Sequence, residues 1–386
     1  DAIQSEPFPG ESTPRRKPSG PVADQIEIDP NAFTHPISTG DSVTGSGNSN
    51  SRPKKPVGAA VPEGGLKVEL DLATPVKPAH LYRLVGQSVP RVDIPAKANG
   101  ESAFVHDIRW PGVLHGRVIR PPYAGADHGD FIGHTLDSVE QASIGHIPGM
   151  RAVVVQGDFV GVVAEREEHA ELAMLQLQVR WKPWPRMPDV SDLEQALRAN
   201  PSTPRELIDE GDVEAALQNA QPAMERTYVW PYQMHASLGP SCALADWLDG
   251  ADAEQPQIRL RVWAATQNPH VLRRDLAVLM DLRDTEVDVV RMEGAGCYGR
   301  NGADDVAADA ALMSRAVGAP VRVQLTREQE HAWEPKGAAQ WMHVRGGLGP
   351  DGQPMGYDFE TAYPSNGAPT LALLLTGRVP ATTQAY

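Results

Sequence analysis

The chain has 386 residues, a hydrophobic fraction of 41% and a formal net charge of −15. That length predicts two or three domains with a sizeable core, and the acidic balance argues against a nucleic-acid partner, whose phosphates are met by basic surface. No apolar run approaches the ~20 residues needed to cross a membrane. Two cysteines, Cys242 and Cys297, are too few for an iron–sulfur cluster held by protein thiolates and show no zinc-ligand spacing, so any electron-transfer centre is expected on another polypeptide.

Residues 1–65 are rich in Gly, Pro, Ser and Asp, with Phe8 and Phe33 their only aromatics. Such a stretch cannot bury enough apolar area to offset ~1–2 kcal/mol of backbone entropy per residue, and an extended or disordered arm is expected. Arg15-Arg16 is followed by Lys17-Pro18-Ser19-Gly20 rather than an apolar region, so no export signal is legible. The chain begins at Asp1 without methionine, as a processed or fragmentary product would.

A compact α+β unit is expected over 66–190. Val113 to Arg120 alternates like a strand, and Arg151–Val155 and Phe159–Ala164 flank Gln156-Gly157-Asp158 as a hairpin. Glu167 to Leu175 reads as a helix with acids at its start, and Val179–Trp181 resumes a strand. A proline- and acid-rich linker is placed at 191–210, ahead of a second unit over 211–386. There Asp212–Leu217 suggests a short helix, and Thr227–Trp230 and Ile258–Trp263 suggest strands. Asn268-Pro269 opens a helix whose Val271, Leu272, Leu276, Leu279 and Leu282 share a face. An alanine-rich helix over 303–317 ends at Gly318. Thr326 and Gln329 have capping-box spacing.

The stretch 287–305, VDVVRMEGAGCYGRNGADD, carries the most chemical information. A β-branched run leads into Gly294, Gly296 and Gly299, and a helix follows. Bare backbone lets a ligand approach closely, and amides with a helix N-terminus behind them favour an anion. The glycines also fit G-x-G-x-x-G, so a nicotinamide-dinucleotide dehydrogenase stays open as an alternative. It requires a parallel sheet and a helix starting at Gly299, whereas Arg300-Asn301-Gly302 suggests a later start. A third reading is a chain-reversing turn and nothing more.

GAGCYGRNGADDVAADAAL resembles the glycine loop and following helix of the molybdopterin-binding large subunits of the xanthine dehydrogenase and aldehyde oxidase family, with the nicotinate dehydrogenase and isoquinoline 1-oxidoreductase branch most similar. Four other segments agree in the family's order. They are Arg91–Gly100, the run from Trp110 through Arg117 to Arg120-Pro121-Pro122, Pro231–Ala236, and Trp263–Pro269. Together they cover roughly residues 83–345. The resemblance implies an α+β fold in which an α/β hammerhead domain is followed by the first part of a molybdopterin-binding α+β domain. It places Gln267, Gly296, Cys297, Tyr298, Gly299 and Arg300 at the cofactor and His235 at the substrate cavity. The bland alternatives are an exposed loop glutamine, a buried aromatic after a turn and a core histidine. Cys297 is read as a small residue that fits the loop, since the pterin dithiolene, not the protein, supplies sulfur to molybdenum in this family.

The implied reaction is hydroxylation of an electron-poor carbon, in an N-heteroaromatic or an aldehyde, with water as oxygen source and a glutamate as general base. That glutamate belongs to the C-terminal half of the family's large subunit, beyond Tyr386, and Glu293, Glu328 and Glu334 are not promoted in its place. Relatives also carry acids where this chain has Gly239 and Gly302, which disfavours a purine. Asp304 and Asp305 are read as first-turn acids stabilising the helix dipole. The resemblance further implies molybdopterin, in its cytosine dinucleotide form, and a small partner subunit holding iron–sulfur clusters. It also implies a polypeptide completing the molybdenum domain, and a c-type cytochrome as a plausible acceptor. Both a cytoplasmic site and one peripheral to a bacterial inner membrane stay open. A truncated, non-catalytic scaffold remains a competing reading.

Overall fold

The computed structural model describes residues 75–122, 133–183, 189–248, 255–363 and 369–379. The expected 1–65 arm and the start of the 66–190 unit lie outside the described residues. These fall into two units divided between Ser102 and Ala103. In the first, Arg91–Gly100 forms helix α1 (Ile94–Asn99), closed by Gly100 in the left-handed region at φ +81°. Arg91 and Lys97 converge on Asp93 and hold its carboxyl well below the usual range.

The second unit opens with β1 (Leu114–Ile119), β2 (Leu136–Glu140) and the hairpin of β3 (Met150–Gln156) and β4 (Phe159–Ala164). Gly157 turns that hairpin at φ +59°, as its sequence suggested. Its neighbour Asp158 is fully buried. It accepts from the backbone N–H of Gly133, Thr135 and Leu136 and from the Thr135 hydroxyl, so it anchors a distant segment as well as the turn. Helix α2 (Glu167–Gln176) and β5 (Gln178–Trp181) follow where expected.

The 191–210 stretch holds a helix, α3 (Leu193–Ala199). Asp192 caps it by accepting from Gln195 N, and buried Leu197 packs against Trp341. Then come α4 (Val213–Asn219), β6 (Ala223–Trp230), β7 (Cys242–Trp247), β8 (Leu260–Ala264), α5 (Pro269–Met280), β9 (Val287–Arg291), α6 (Ala303–Val317), β10 (Val321–Gln324), α7 (Arg327–Trp333), β11 (Gln340–Leu348), β12 (Pro354–Ala362) and α8 (Leu371–Leu375). In α5, Leu272, Leu276 and Leu279 are buried as the spacing requires, but Val271 sits at the margin of that face and is 38% exposed.

The main sheet is seven-stranded in the order β3-β4-β1-β10-β7-β8-β9. β1 and β10 pair in parallel, so strands from either side of the 191–210 segment share one sheet. Helix α6 lies across it and buries Val306, Ala307, Ala310, Ala311 and Met313. Alanines let the helix approach closely, and Met313 fills the space over two bare strand positions. A Cβ on Gly116 would lie 2.8 Å from its sulfur, and one on Gly161 3.0 Å. Each large side chain buried in this layer contributes on the order of 1.5–3 kcal/mol of transfer free energy. One buried ion pair crosses it: Arg120 donates to both carboxylate oxygens of Asp309, at 3.0 and 2.6 Å.

A second sheet has the order β12-β11-β6. One face is covered by α3 through Trp341 and by α4, whose Leu217 and Ala216 sit against Gly347 and Gly356. By register, the other face presents Met224, Tyr228, Trp230, Tyr357 and Phe359, all exposed. Among the described residues, no helix is long and apolar enough to cross a membrane.

Candidate cofactor site

Topology brings the chemistry-bearing segments together. β8 and β9 are parallel, so the loops after them, 265–268 and 292–302, leave the same end of the sheet. β7 runs antiparallel to β8 and β10, so the segment entering β7 at Cys242 and the start of α7 after β10 meet at that end too. Ligand sites in open α/β sheets gather at strand ends of this kind.

Glycines let these loops touch. A Cβ on Gly294 would lie 2.5 Å from that of Ala265, and one on Gly239 2.6 Å from that of Ala295. At Gly299 a Cβ would fall 2.2 Å from the His235 ring, and φ there is +142°. His235 is thus a buttress beneath the loop. Its Nδ1 donates to the Arg300 carbonyl at 2.8 Å, which fixes the tautomer. The absent acids have structural counterparts. Gly239 has no room for a side chain, and a carboxylate at buried Gly302 would face that of Glu330.

The loop is fastened by its carbonyls. Gln267 Nε2 donates to Gly299 O at 2.8 Å, the Cys297 thiol donates to the same oxygen at 3.2 Å, and Asn301 Nδ2 donates to Gly296 O at 3.1 Å. The backbone amides of Gly296, Cys297, Tyr298, Gly299 and Arg300 have no protein acceptor among the described residues. Tyr298, Gly299 and Arg300 are exposed, as is Gln267. Tyr298 itself takes a left-handed φ of +51°, and its ring folds back over Gly296.

The helix N-terminus behaves differently from expectation. Two of the amides at the start of α6 are already taken, Gly302 N by Glu330 at 3.2 Å and Ala303 N by Asn301 Oδ1 at 3.2 Å. The loop amides and the Arg300 guanidinium therefore stand beside a partly occupied helix end as donors to an anion. Nor are the first-turn acids simple dipole partners. Burial pushes Asp305 up to about 6, and its Oδ1 accepts from Leu371 N at 2.7 Å. Burial also raises the Asp304 carboxyl, whose Oδ1 is buried without a hydrogen-bond partner beside the loop. The nicotinamide-dinucleotide alternative does not fit this geometry. The helix begins at Ala303 rather than Gly299, and the sheet is mixed rather than parallel.

Sequence reasoning missed the roles of Glu330, in α7, and of Glu334, the residue that ends it. Glu330 is fully buried and accepts from Ser241 N at 2.8 Å, Ser241 Oγ at 3.0 Å, Ser237 Oγ at 3.4 Å and Gly302 N. Glu334, at the end of the helix and 3% exposed, accepts from His235 N at 2.7 Å and from Ala236 N through both oxygens. Glu330 lies within the helix and Glu334 at its C-cap; nothing in the sequence said that both turned inward.

Comparison with known proteins agrees with the geometry. Residues 199–384 match the family model of the molybdopterin cofactor-binding domain. The chain is 60% identical over 306 residues to a nicotinate dehydrogenase subunit of Pseudomonas putida, a match that covers 79% of this chain and 25% of that protein. It is 25% identical over 271 residues to the beta subunit of isoquinoline 1-oxidoreductase from Brevundimonas diminuta, covering 67% of this chain and 32% of that one. The chain thus spans about a quarter to a third of these two relatives. Eubacterium barkeri nicotinate dehydrogenase large molybdopterin subunit is 24% identical over 299 residues, covering 70% of this chain and 68% of that subunit. The fold is that of quinoline 2-oxidoreductase from Pseudomonas putida 86, with a TM-score of 0.54 at 18% identity, over 72% of this chain and 39% of that one.

Proposed function

We propose that this chain, which carries the molybdopterin cofactor-binding domain of the xanthine dehydrogenase and aldehyde oxidase family, is the part of a molybdenum hydroxylase catalytic subunit that seats the cofactor. The supporting observation is the loop at 296–300, fastened by its carbonyls with its amides left open. A run of N–H donors without protein acceptors suits the oxygen, nitrogen and phosphate acceptors of molybdopterin. The residues present fit such a group. Bare glycine backbone permits close approach, Gln267 keeps its amide oxygen and second N–H available, and Arg300 supplies a half-exposed cation.

Within that reading each residue has a definite task. Gln267 sets the loop's position and orients the bound group. Gly296, Cys297, Tyr298, Gly299 and Arg300 present amides, and the exposed Tyr298 ring offers an aromatic wall to a flat substrate. His235 holds Gly299 and Arg300 from below. The cofactor, when bound, supplies two-electron redox chemistry and activates water as the oxygen source. Glu334 is committed to backbone amides, and this reading assigns the general base to another part of the subunit.

An electron-poor N-heteroaromatic is the preferred substrate class, supported by the identity to the Pseudomonas putida nicotinate dehydrogenase and by the lack of acids at Gly239 and Gly302. An aldehyde is the second class. The proposal includes molybdopterin in its cytosine dinucleotide form. It also includes an iron–sulfur subunit, a polypeptide completing the molybdenum domain, and a c-type cytochrome as acceptor. The test uses the native assembly, with its co-purifying proteins identified, assayed on nicotinate and on an aromatic aldehyde in isotopically labelled water. The expected result is label incorporated into hydroxylated nicotinate. Turnover without label in the product, or oxidation of neither compound, would rule against this reading.

A further inference from the structure

Two of the three non-glycine residues with positive φ among the described residues, Ala236 at +52° and Tyr298 at +51°, lie at the candidate site; the third, Asp281, closes a helix. Left-handed backbone at such residues costs energy and persists only where the surroundings enforce it. Ala236 is enforced directly. The successive N–H groups of His235 and Ala236 form a concave pair filled by the Glu334 carboxylate. His235, oriented by that turn, bears on Gly299 and holds Arg300 O, the residues that follow Tyr298. One helical turn earlier, Glu330 joins the far end of the same loop, at Gly302 N, to the entry of β7, at Ser241 N.

We infer that Glu330 and Glu334 are positioning residues: α7 and its C-cap form a two-carboxylate clamp that fixes the cofactor loop against the His235 turn and so sets the direction of its open amides. The inference rests on the cofactor reading above. The chemistry requires carboxylates. Ser241 N meets Glu330 Oε2 and Gly302 N meets Oε1. A glutamine presents one acceptor and one donor, so in either orientation it leaves one of these buried amides facing an N–H. Glu334 is more tolerant. A glutamine oxygen in the place of Oε1 still accepts from His235 N at 2.7 Å and from Ala236 N at 3.3 Å, leaving only the 3.2 Å Ala236 contact to Oε2 impaired. The clamp therefore predicts a larger effect for E330Q than for E334Q.

The experiment compares wild type, E330Q and E334Q in the native assembly. It measures molybdenum and pterin per chain, amide hydrogen exchange over 235–241 and 296–302, and KM against kcat. The clamp predicts faster exchange in both segments without faster exchange in the α6 core. It also predicts a cofactor loading or kcat loss on the order of 10–100-fold for E330Q, with KM little changed, as for other residues that orient a ligating shell. The loss for E334Q should be smaller. Unchanged exchange, loading and kcat in both variants would overturn the clamp, as would exchange that rises uniformly through α6. Should E330Q fail to fold, E334Q alone decides by the same readouts. Wild-type protein free of molybdenum yet showing the variant-sensitive exchange would overturn the cofactor reading and leave the clamp as a loop anchor. Loaded wild type with insensitive exchange would overturn the clamp alone.

Discussion

Helices α6 and α7 are held and used in opposite ways. α6 buries alanines, Val306 and Met313 against the seven-stranded sheet, and its position follows from shape. α7 is about half its length and contributes two buried carboxylates whose partners are mostly backbone amides from the segments around His235, Ser241 and Gly302. Apolar packing positions elements but is indifferent to direction, whereas hydrogen bonds fix direction and are costly when broken in a buried place. A loop that must aim its amides at a ligand needs the second kind of support.

The largest effect is expected at Asp309, a charge-paired residue on the buried face of α6. Asp309→Ala leaves the Arg120 guanidinium buried and unpaired, with its side chain 5% exposed. A stability loss of about 3–5 kcal/mol is expected by urea denaturation. A loss below about 1 kcal/mol would show that water reaches the pair. Next comes Gly116→Val, which drives side-chain atoms into Met313 and Val323. Overpacking of this kind costs about 1–3 kcal/mol, and cofactor loading per folded chain should be unaffected if the two regions are independent.

Asp305 stands in the first turn of α6, where the helix meets the loop. Its folded carboxyl is raised from 3.8 to about 6 by burial. The native state therefore holds a proton that the unfolded chain releases. This contribution to stability is complete below about 3.8 and is lost as pH rises through about 6. Asp305→Asn keeps an acceptor for Leu371 N and should flatten the stability profile across that window; an unaltered slope would assign the titration to another group. The smallest effect belongs to the surface. Arg345 joins Glu214 and Asp358 on the three-stranded sheet with every partner solvated, and Arg345→Ala should change stability by no more than about 1 kcal/mol.

Much of this was legible in the sequence. The hairpin at Gly157, the helix capped by Asn268, the alanine-rich α6 and the Thr326–Gln329 capping box all follow from local rules. The glycine loop and Gln267 were legible as a constellation through resemblance. What escaped was non-local. The parallel contact of β1 with β10 joins segments about two hundred residues apart. Glu330 and Glu334 look like ordinary acids in and just after a short helix, because their partners are mostly backbone N–H groups, which carry no sequence signature. The first-turn acids of α6 misled for a related reason: position in a helix is readable, but burial is set by what packs over it, and Leu371 packs over Asp305.

The most direct test of the central claim, that the 296–300 loop cradles molybdopterin, is the molybdenum and pterin content of the native assembly with Gly299→Ala beside wild type. The variant's Cβ strikes the His235 ring and must turn the loop amides. The account predicts near-stoichiometric molybdenum in wild type and strongly reduced molybdenum in a variant that still unfolds in one cooperative thermal transition. Equal loading of the two proteins would contradict it.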